Sequence, residues 1–314
     1  MEIIKRTAVC LDAETEALLY RHAGEISEIR LRINRPLQLS LLNGKRLWGK
    51  AISAGILQKV LNQLMENSLY ACEHELKQGY FSAGMGCRVG VCGKISEGAA
   101  GIENMANVGS ICIRIPREIP GCGDEVFKRI FKNEVHGFLI ISAPGKGKTT
   151  LLRELIRRVS DAGYNVAVAD ERREIAGCSH GIPAMDLGKC ADVLDGFTKA
   201  KAISMLLRAC APEMIAVDEI GTAEDAEAIL DAARCGTKTA ATVHASCVEE
   251  AFERKSINKL LASGVFEYCI ELGPEIGKIR RILEWNEGEY RNAEGNFAFD
   301  CTSGLHGHRS NAFS

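Results

Sequence analysis

Two hydrophobic patterns divide the chain. Up to about residue 115, apolar and polar positions alternate. Glu28-Ile-Arg-Leu-Arg-Ile33 predicts a half-buried strand with Arg30 and Arg32 on its polar face. Leu37–Leu42 and Arg46–Trp48 continue it as a hairpin around Asn43-Gly44, a strong turn signal. Ile56, Val60, Leu61 and Leu64 recur at helical spacing, and Leu69–Lys77 suggests a second helix. Gly86–Lys94 is a glycine-rich strand candidate, and residues 96–109, small and polar, are expected to be a loop. Ser110–Ile115 alternates again, and Pro116 then weakens further pairing.

Beyond Pro120-Gly-Cys-Gly123 the pattern changes to continuous apolar runs separated by helical stretches. Strands are expected at 137–142, 165–170, 214–218, 238–243 and 267–272 with 278–284. Alternation of strand and helix implies a parallel sheet with helices on both faces. From Trp285 onward the chain turns polar. The expectation is an N-terminal α/β domain over 1–123, a second α/β domain over 124–290, and a polar, disordered tail over 291–314.

Composition changes this picture little. With 314 residues, two domains are the natural division. The formal net charge of −2 supplies no global field toward nucleic acid or anionic lipid, although a local basic patch stays open. The 13 cysteines contain no Cys-x-x-Cys pair, which argues against zinc and for reduced thiols in a cytosol. No stretch is long and apolar enough to span a membrane, so a membrane role is expected to run through partners.

The chemistry concentrates where apolar runs end. Phe138–Ile141 leads into Ser142-Ala143-Pro144-Gly145-Lys146-Gly147-Lys148-Thr149-Thr150, and a helical pattern follows. Strand, glycine loop and helix in that order form a phosphate-binding P-loop: backbone N–H groups converge at a helix N-terminus. Lys148 is expected to reach the β- and γ-phosphates, and Thr149 to ligate Mg²⁺. Met214-Ile-Ala-Val-Asp218-Glu219 reads as the companion Walker B strand, with Asp218 holding the metal and Glu219 polarising water. Asp170 and Glu171 end the strand after the P-loop helix, where they could act on metal or water; a solvated, salt-bridged turn is the competing reading. Thr242 and His244 end another strand and suggest a γ-phosphate sensor. Arg208 could stabilise phosphate charge or simply cap a helix. Arg88 and Arg114 lie in the first domain, from which charge can be supplied to a nucleotide.

These segments resemble a known family. Asp170-Glu171, Leu207–Gly221 and Ala241–Ala245 are similar, in order, to the Asp box, Walker B and His box of type II and type IV secretion ATPases. Glu28–Leu37, Ser68–Tyr80, Arg88–Lys94 and Asp170–Gly177 resemble the stage III sporulation protein AA family, over roughly residues 25 to 285. The resemblance implies a RecA-like P-loop NTPase domain behind a smaller N-terminal α/β domain, with ATP and Mg²⁺ as cofactors. It implies a homo-hexameric ring and membrane proteins of a sporulation secretion complex as partners. Hydrolysis would then power or maintain a channel between mother cell and forespore. Arg114 best matches the N-domain arginines that contact phosphates in such proteins, with Arg88 and Arg117 also in view. The chain departs at Ser142, where the motif has Gly, and at Gly221-Thr222, where secretion ATPases usually have Arg-Asp. An ATP-binding scaffold with little turnover is the main rival. A small-molecule kinase or nucleic-acid motor is weaker, since aromatics are only 6% and no lid or basic stripe is legible.

Overall fold

Alternating segments pair into one sheet and continuous apolar segments into another. The computed structural model describes residues 2–65, 76, 79–84, 86–98, 101–131, 134–178, 181–292 and 297–300. Two compact units divide between Arg117 and Glu118, with the short stretch at Gly177 counting with the first. That division precedes the Pro120–Gly123 linker on which the sequence reading placed it.

The first unit begins with α1 (Glu2–Ala8) and α2 (Ala13–Arg21), which the hydrophobic pattern did not announce. Asp12 starts α2, its carboxylate accepting from the N–H groups of Glu14 and Thr15 at 3.2 Å. Next come β1 (Ile26–Arg32), β2 (Pro36–Leu41), β3 (Arg46–Ala51) and α3 (Ala54–Leu64), then β4 (Tyr80–Ser82), β5 (Arg88–Gly98) and β6 (Gly101–Arg114). The six strands form an antiparallel sheet in the order β3-β2-β1-β6-β5-β4. The expected hairpin turns at Asn43-Gly44, where Gly44 takes φ 81°, a conformation natural to glycine. One face of the sheet carries Ile29, Leu31, Leu37, Leu39, Ile111 and Ile113 into a core with Leu57, Val60 and Leu61 of α3. The loop expected over 96–109 is instead a continuous hairpin, paired from Arg88↔Arg114 to Gly98↔Gly101. Backbone groups make the ladder, so small and polar residues can sustain it. The helix expected over 69–77 falls almost wholly outside the described residues.

The second unit runs α4 (Asp124–Ile130), β7 (Phe138–Ile141), α5 (Lys148–Asp161), β8 (Val166–Asp170), β9 (Ala191–Asp195), α6 (Lys199–Cys210) and β10 (Met214–Glu219). It continues with α7 (Ala223–Arg234), β11 (Lys238–Val243), α8 (Val248–Phe252), α9 (Lys255–Ala262), β12 (Tyr268–Leu272), β13 (Ile279–Asn286), β14 (Glu289–Asn292) and β15 (Phe297–Asp300). The sheet order is β15-β14-β13-β12-β7-β11-β10-β8-β9. Strands β12 to β9 in that order are parallel, and β13, β14 and β15 add antiparallel edges. Every residue of β7 and β8 is buried, which is why both read as unbroken apolar runs. The edge strand β9 was hidden because Asp192 and Asp195 interrupt its apolar pattern. Part of the stretch expected as a loose tail from 291 is strand: β14 and β15 pair as far as Asp300. Tyr290 anchors them, fully buried with its hydroxyl donating to the Phe266 carbonyl at 2.7 Å. Residues 301–314 lie outside the described residues.

Candidate functional site

Sheet order assembles the site. Strand β11 lies between the P-loop strand β7 and the acidic strand β10. All three are parallel, so Ser142, Thr242, Asp218 and Glu219 emerge at one edge, where ligands of such sheets bind.

The P-loop follows from its glycines. Gly145 and Gly147 take φ 74° and 95°, conformations in which a side chain would be strained. Ser142 is not among the positive-φ residues, so serine in place of the motif's first glycine carries no backbone strain. Its Oγ donates to the Ala143 carbonyl at 2.9 Å. Gly147 caps α5, and Lys148 is the first helical residue. The turn after β12 braces the loop: the Gly277 N–H donates to the Lys146 carbonyl at 3.0 Å, and Lys146 Nζ donates to the Pro274 carbonyl.

Lys148 Nζ donates to the carbonyls of Ser142 (2.9 Å) and Ala143 (3.2 Å) and to His244 Nδ1 at 2.8 Å. With Nδ1 accepting, the ring proton sits on Nε2, which faces Glu219 Oε2 at 3.5 Å. Burial pulls the Lys148 ammonium below its usual pKa, while the charges of Asp218 and Glu219 oppose that shift. Thr149 Oγ1 and Thr242 Oγ1 both point at Asp218 Oδ1, at 3.5 and 3.3 Å. Desolvation pushes the Asp218 carboxyl up, reinforced by the negative charge of Glu174. A carboxylate and a hydroxyl side by side, with negative charge in excess, are hard oxygen donors that fit Mg²⁺.

The Asp box divides its labour. Asp170 is fully buried and accepts from the N–H groups of Glu174, Ile175 and Ala176 at 2.8–3.2 Å. It therefore organises the loop after β8 instead of facing metal or water. Glu171 instead receives Lys199 Nζ at 2.5 Å. Pattern reading missed Lys199, which is 7% exposed and opens α6. The available signal was a cation at a helix N-terminus, where the macrodipole disfavours it. Arg153 was also missed; it donates to the carbonyls of Ile175 and Glu174 at 2.7 Å and ties α5 to the same loop. Arg172 Nη1 lies 3.6 Å from Glu219 Oε2.

Two predicted residues stand apart from this cluster. Arg208 is exposed in the last turn of α6, bonded to the Ser204 carbonyl and hydroxyl at 3.0 Å. Its bonds turn back into the helix instead of capping the last carbonyls, and among the described residues no contact links it to the P-loop. Arg114 belongs to the first unit, 71% exposed, with Nε 4.0 Å from Glu28 Oε2. Arg117, in the same unit, donates to the carbonyls of Ala23 and Ile26. Gly221 and Thr222, the second departure from the secretion ATPases, start α7: Thr222 and Asp225 form a reciprocal capping box. The remaining P-loop residue, Thr150, lines a small cleft with Glu118, Ile119, Pro120, Arg153 and Asp186.

A parallel sheet bearing a P-loop, with a strand inserted between it and the acidic strand, defines a RecA-like P-loop NTPase fold. Solved structures share it. The ATPase DotB of Legionella pneumophila superposes with a TM-score of 0.58 at 18% identity, covering 87% of this chain and 80% of that one. The pilus retraction motor PilT with bound ADP gives 0.59 at 19% identity, covering 85% and 80%. The chain belongs to the family described as Sporulation stage III, protein AA, whose model matches residues 12–289. The Stage III sporulation protein AA of Bacillus subtilis (strain 168) is 36% identical over 253 residues, 79% of this chain and 82% of that protein. The Arabidopsis thaliana protein SEEDLING PLASTID DEVELOPMENT 1 is 28% identical over 185 residues, which is 56% of this chain but only 25% of that protein. Among the described residues, no helix is long and apolar enough to cross a membrane.

Proposed function

We propose that this chain binds ATP with Mg²⁺ and hydrolyses it as a motor of the secretion-ATPase type. The observation that carries the reading is the linked trio Lys148, His244 and Glu219, beside the Thr149–Asp218 donor pair. The P-loop amides and the Lys148 ammonium receive phosphate oxygens, and Lys148 exchanges its Ser142 and Ala143 carbonyl partners for them. Thr149 and Asp218 would hold Mg²⁺, which neutralises charge on the phosphates. Glu219 orients the attacking water and accepts its proton. His244 touches both Lys148 and Glu219, so occupancy of the P-loop is felt at the water-orienting carboxylate. Lys199 holds Glu171 in place through its 2.5 Å ion pair. Membership of a sporulation family and the shared fold support an oligomeric assembly, which this reading takes to be a homo-hexameric ring. In that ring Arg114 is the candidate to meet phosphate, and membrane proteins of a sporulation complex, at a channel between mother cell and forespore, are the partners.

The test is Mg²⁺-dependent phosphate release. Lys148→Ala should abolish nucleotide binding and turnover together. Glu219→Gln should retain binding while turnover falls by roughly 10² or more. Full activity in both variants would overturn the reading. Tight ATP binding without turnover in the unaltered protein would favour a nucleotide-dependent scaffold.

A further inference from the structure

The sheet of the first unit buries one face and leaves the other polar, and basic residues outnumber acids on that polar face. Strand register places Trp48, Gln38, Arg30 and Cys112 in one row and Arg46, Ser40, Glu28, Arg114 and Arg88 in the next. Arg32 lies two residues along β1 from Arg30, on the same side. Glu28 is the one acid among these positions, and Arg30 neutralises it at 2.5 Å. The charge is not a property of the whole chain. Residues 1–117 hold 15 Lys and Arg against 11 Asp and Glu, whereas the whole chain has 39 against 41.

At the β3 edge this charge meets apolar surface. Leu42, in the hairpin turn, is 60% exposed, and Trp48 is 57% exposed. Lys45 and Arg46 are exposed between them. We propose that the β2–β3 hairpin and the adjoining basic face of the first unit dock directly on an anionic lipid bilayer. The field of an anionic bilayer attracts each Lys and Arg near it. An indole at the boundary between apolar and charged surface is the side chain that settles at the headgroup level. Single-stranded nucleic acid fits less well, because it needs rings on which bases stack. The central positions of this face are Gln38, Ser40, Arg30 and Arg32, none of them aromatic, and the Tyr80 ring at the far side is covered by the Arg88 guanidinium at 3.6 Å. Arg88 and Arg114, at that far side, are left for phosphate, so docking at the β3 edge is independent of the proposed hydrolysis.

The experiment is co-sedimentation of the full chain, without nucleotide, with vesicles of phosphatidylcholine alone or mixed with phosphatidylglycerol. Binding is expected only to the mixed vesicles and is expected to fade as salt rises. Arg46→Glu should weaken it roughly tenfold or more, and Trp48→Ala several-fold. Lys59→Glu makes the same charge change on α3, across the sheet, and should leave binding within about twofold. Circular dichroism and ATP binding report whether each variant is folded. Equal binding to uncharged vesicles, equal loss in Arg46→Glu and Lys59→Glu, or retention on single-stranded DNA without vesicle binding would each overturn the proposal. None of these outcomes bears on phosphate release, which is measured separately.

Discussion

The two sheets show how strand patterning and chemistry go together. In the second unit, β7 and β8 are buried at every position, so their side chains serve packing alone and chemistry is displaced to the strand ends. There the chain turns, and Ser142, Asp170, Asp218 and Thr242 mark that line. In the first unit, β1 buries Ile29 and Leu31 and leaves Glu28, Arg30 and Arg32 on the other face, where only Gln38 of β2 is also buried, so polar side chains are spread over a surface. A parallel sheet gathers polar groups at an edge, and a one-sided antiparallel sheet spreads them over a surface.

The comparison can be broken at its strongest point first. Ile140 lies in the middle of β7 between β12 and β11 and is fully buried, so Ile140→Ala should cost about 2–5 kcal/mol in denaturant unfolding. Trp48→Ala, on the displayed face, should stay within about 0.5 kcal/mol. Equal costs would erase the distinction between the two sheets.

Next is the helix start that braces the first unit. Asp12→Ala removes the N-cap of α2 and should lower the stability of that unit by about 1 kcal/mol. The hydrogen bond from Thr15 holds the Asp12 carboxyl down, from 3.8 to about 2. A depressed carboxylate pKa stabilises above its unfolded value, so the wild-type advantage is complete above pH 3.8 and disappears as pH falls toward 2. A difference between the two proteins that persists unchanged at pH 2 would refute the charge-based cap.

A small effect is expected at the P-loop entrance. Ser142 needs no left-handed conformation, so Ser142→Gly gains nothing from glycine's freedom and forgoes the bond to Ala143. Stability should fall by about 0.5–1 kcal/mol, and nucleotide affinity should move less than about twofold. A marked gain in affinity would show that the serine strains the loop.

Much of the second unit was visible in the chain because its strands are continuous apolar runs ending in polar residues. Lys148, Thr149, Asp218, Glu219 and His244 were singled out for that reason, and the fold brings them together. Lys199 was not, because its partner Glu171 is 28 residues away and only the packing of α6 beside β8 brings them together. Asp170 was found but misread, since strand position cannot tell a carboxylate facing a ligand from one spent on its own loop. Arg208 stayed open between two roles, because an arginine near a helix end looks the same in sequence whether it meets phosphate or, as in this chain, Ser204. The hairpin over 96–109 and the edge strands β9, β14 and β15 escaped because backbone pairing, not side-chain pattern, holds them.

By itself, the sequence determined the local events: where strands and helices alternate, where glycines allow the P-loop its positive φ values, and which strand ends carry oxygen and nitrogen groups. Spacing along a chain suffices for these, since they depend on neighbours a few residues apart. Only the tertiary structure decided that β11 would lie between β7 and β10, setting His244 against both Lys148 and Glu219, and that arginines of separate strands would share one face. Those juxtapositions depend on strand order and register, which come from burying two cores at once and are written in no single segment.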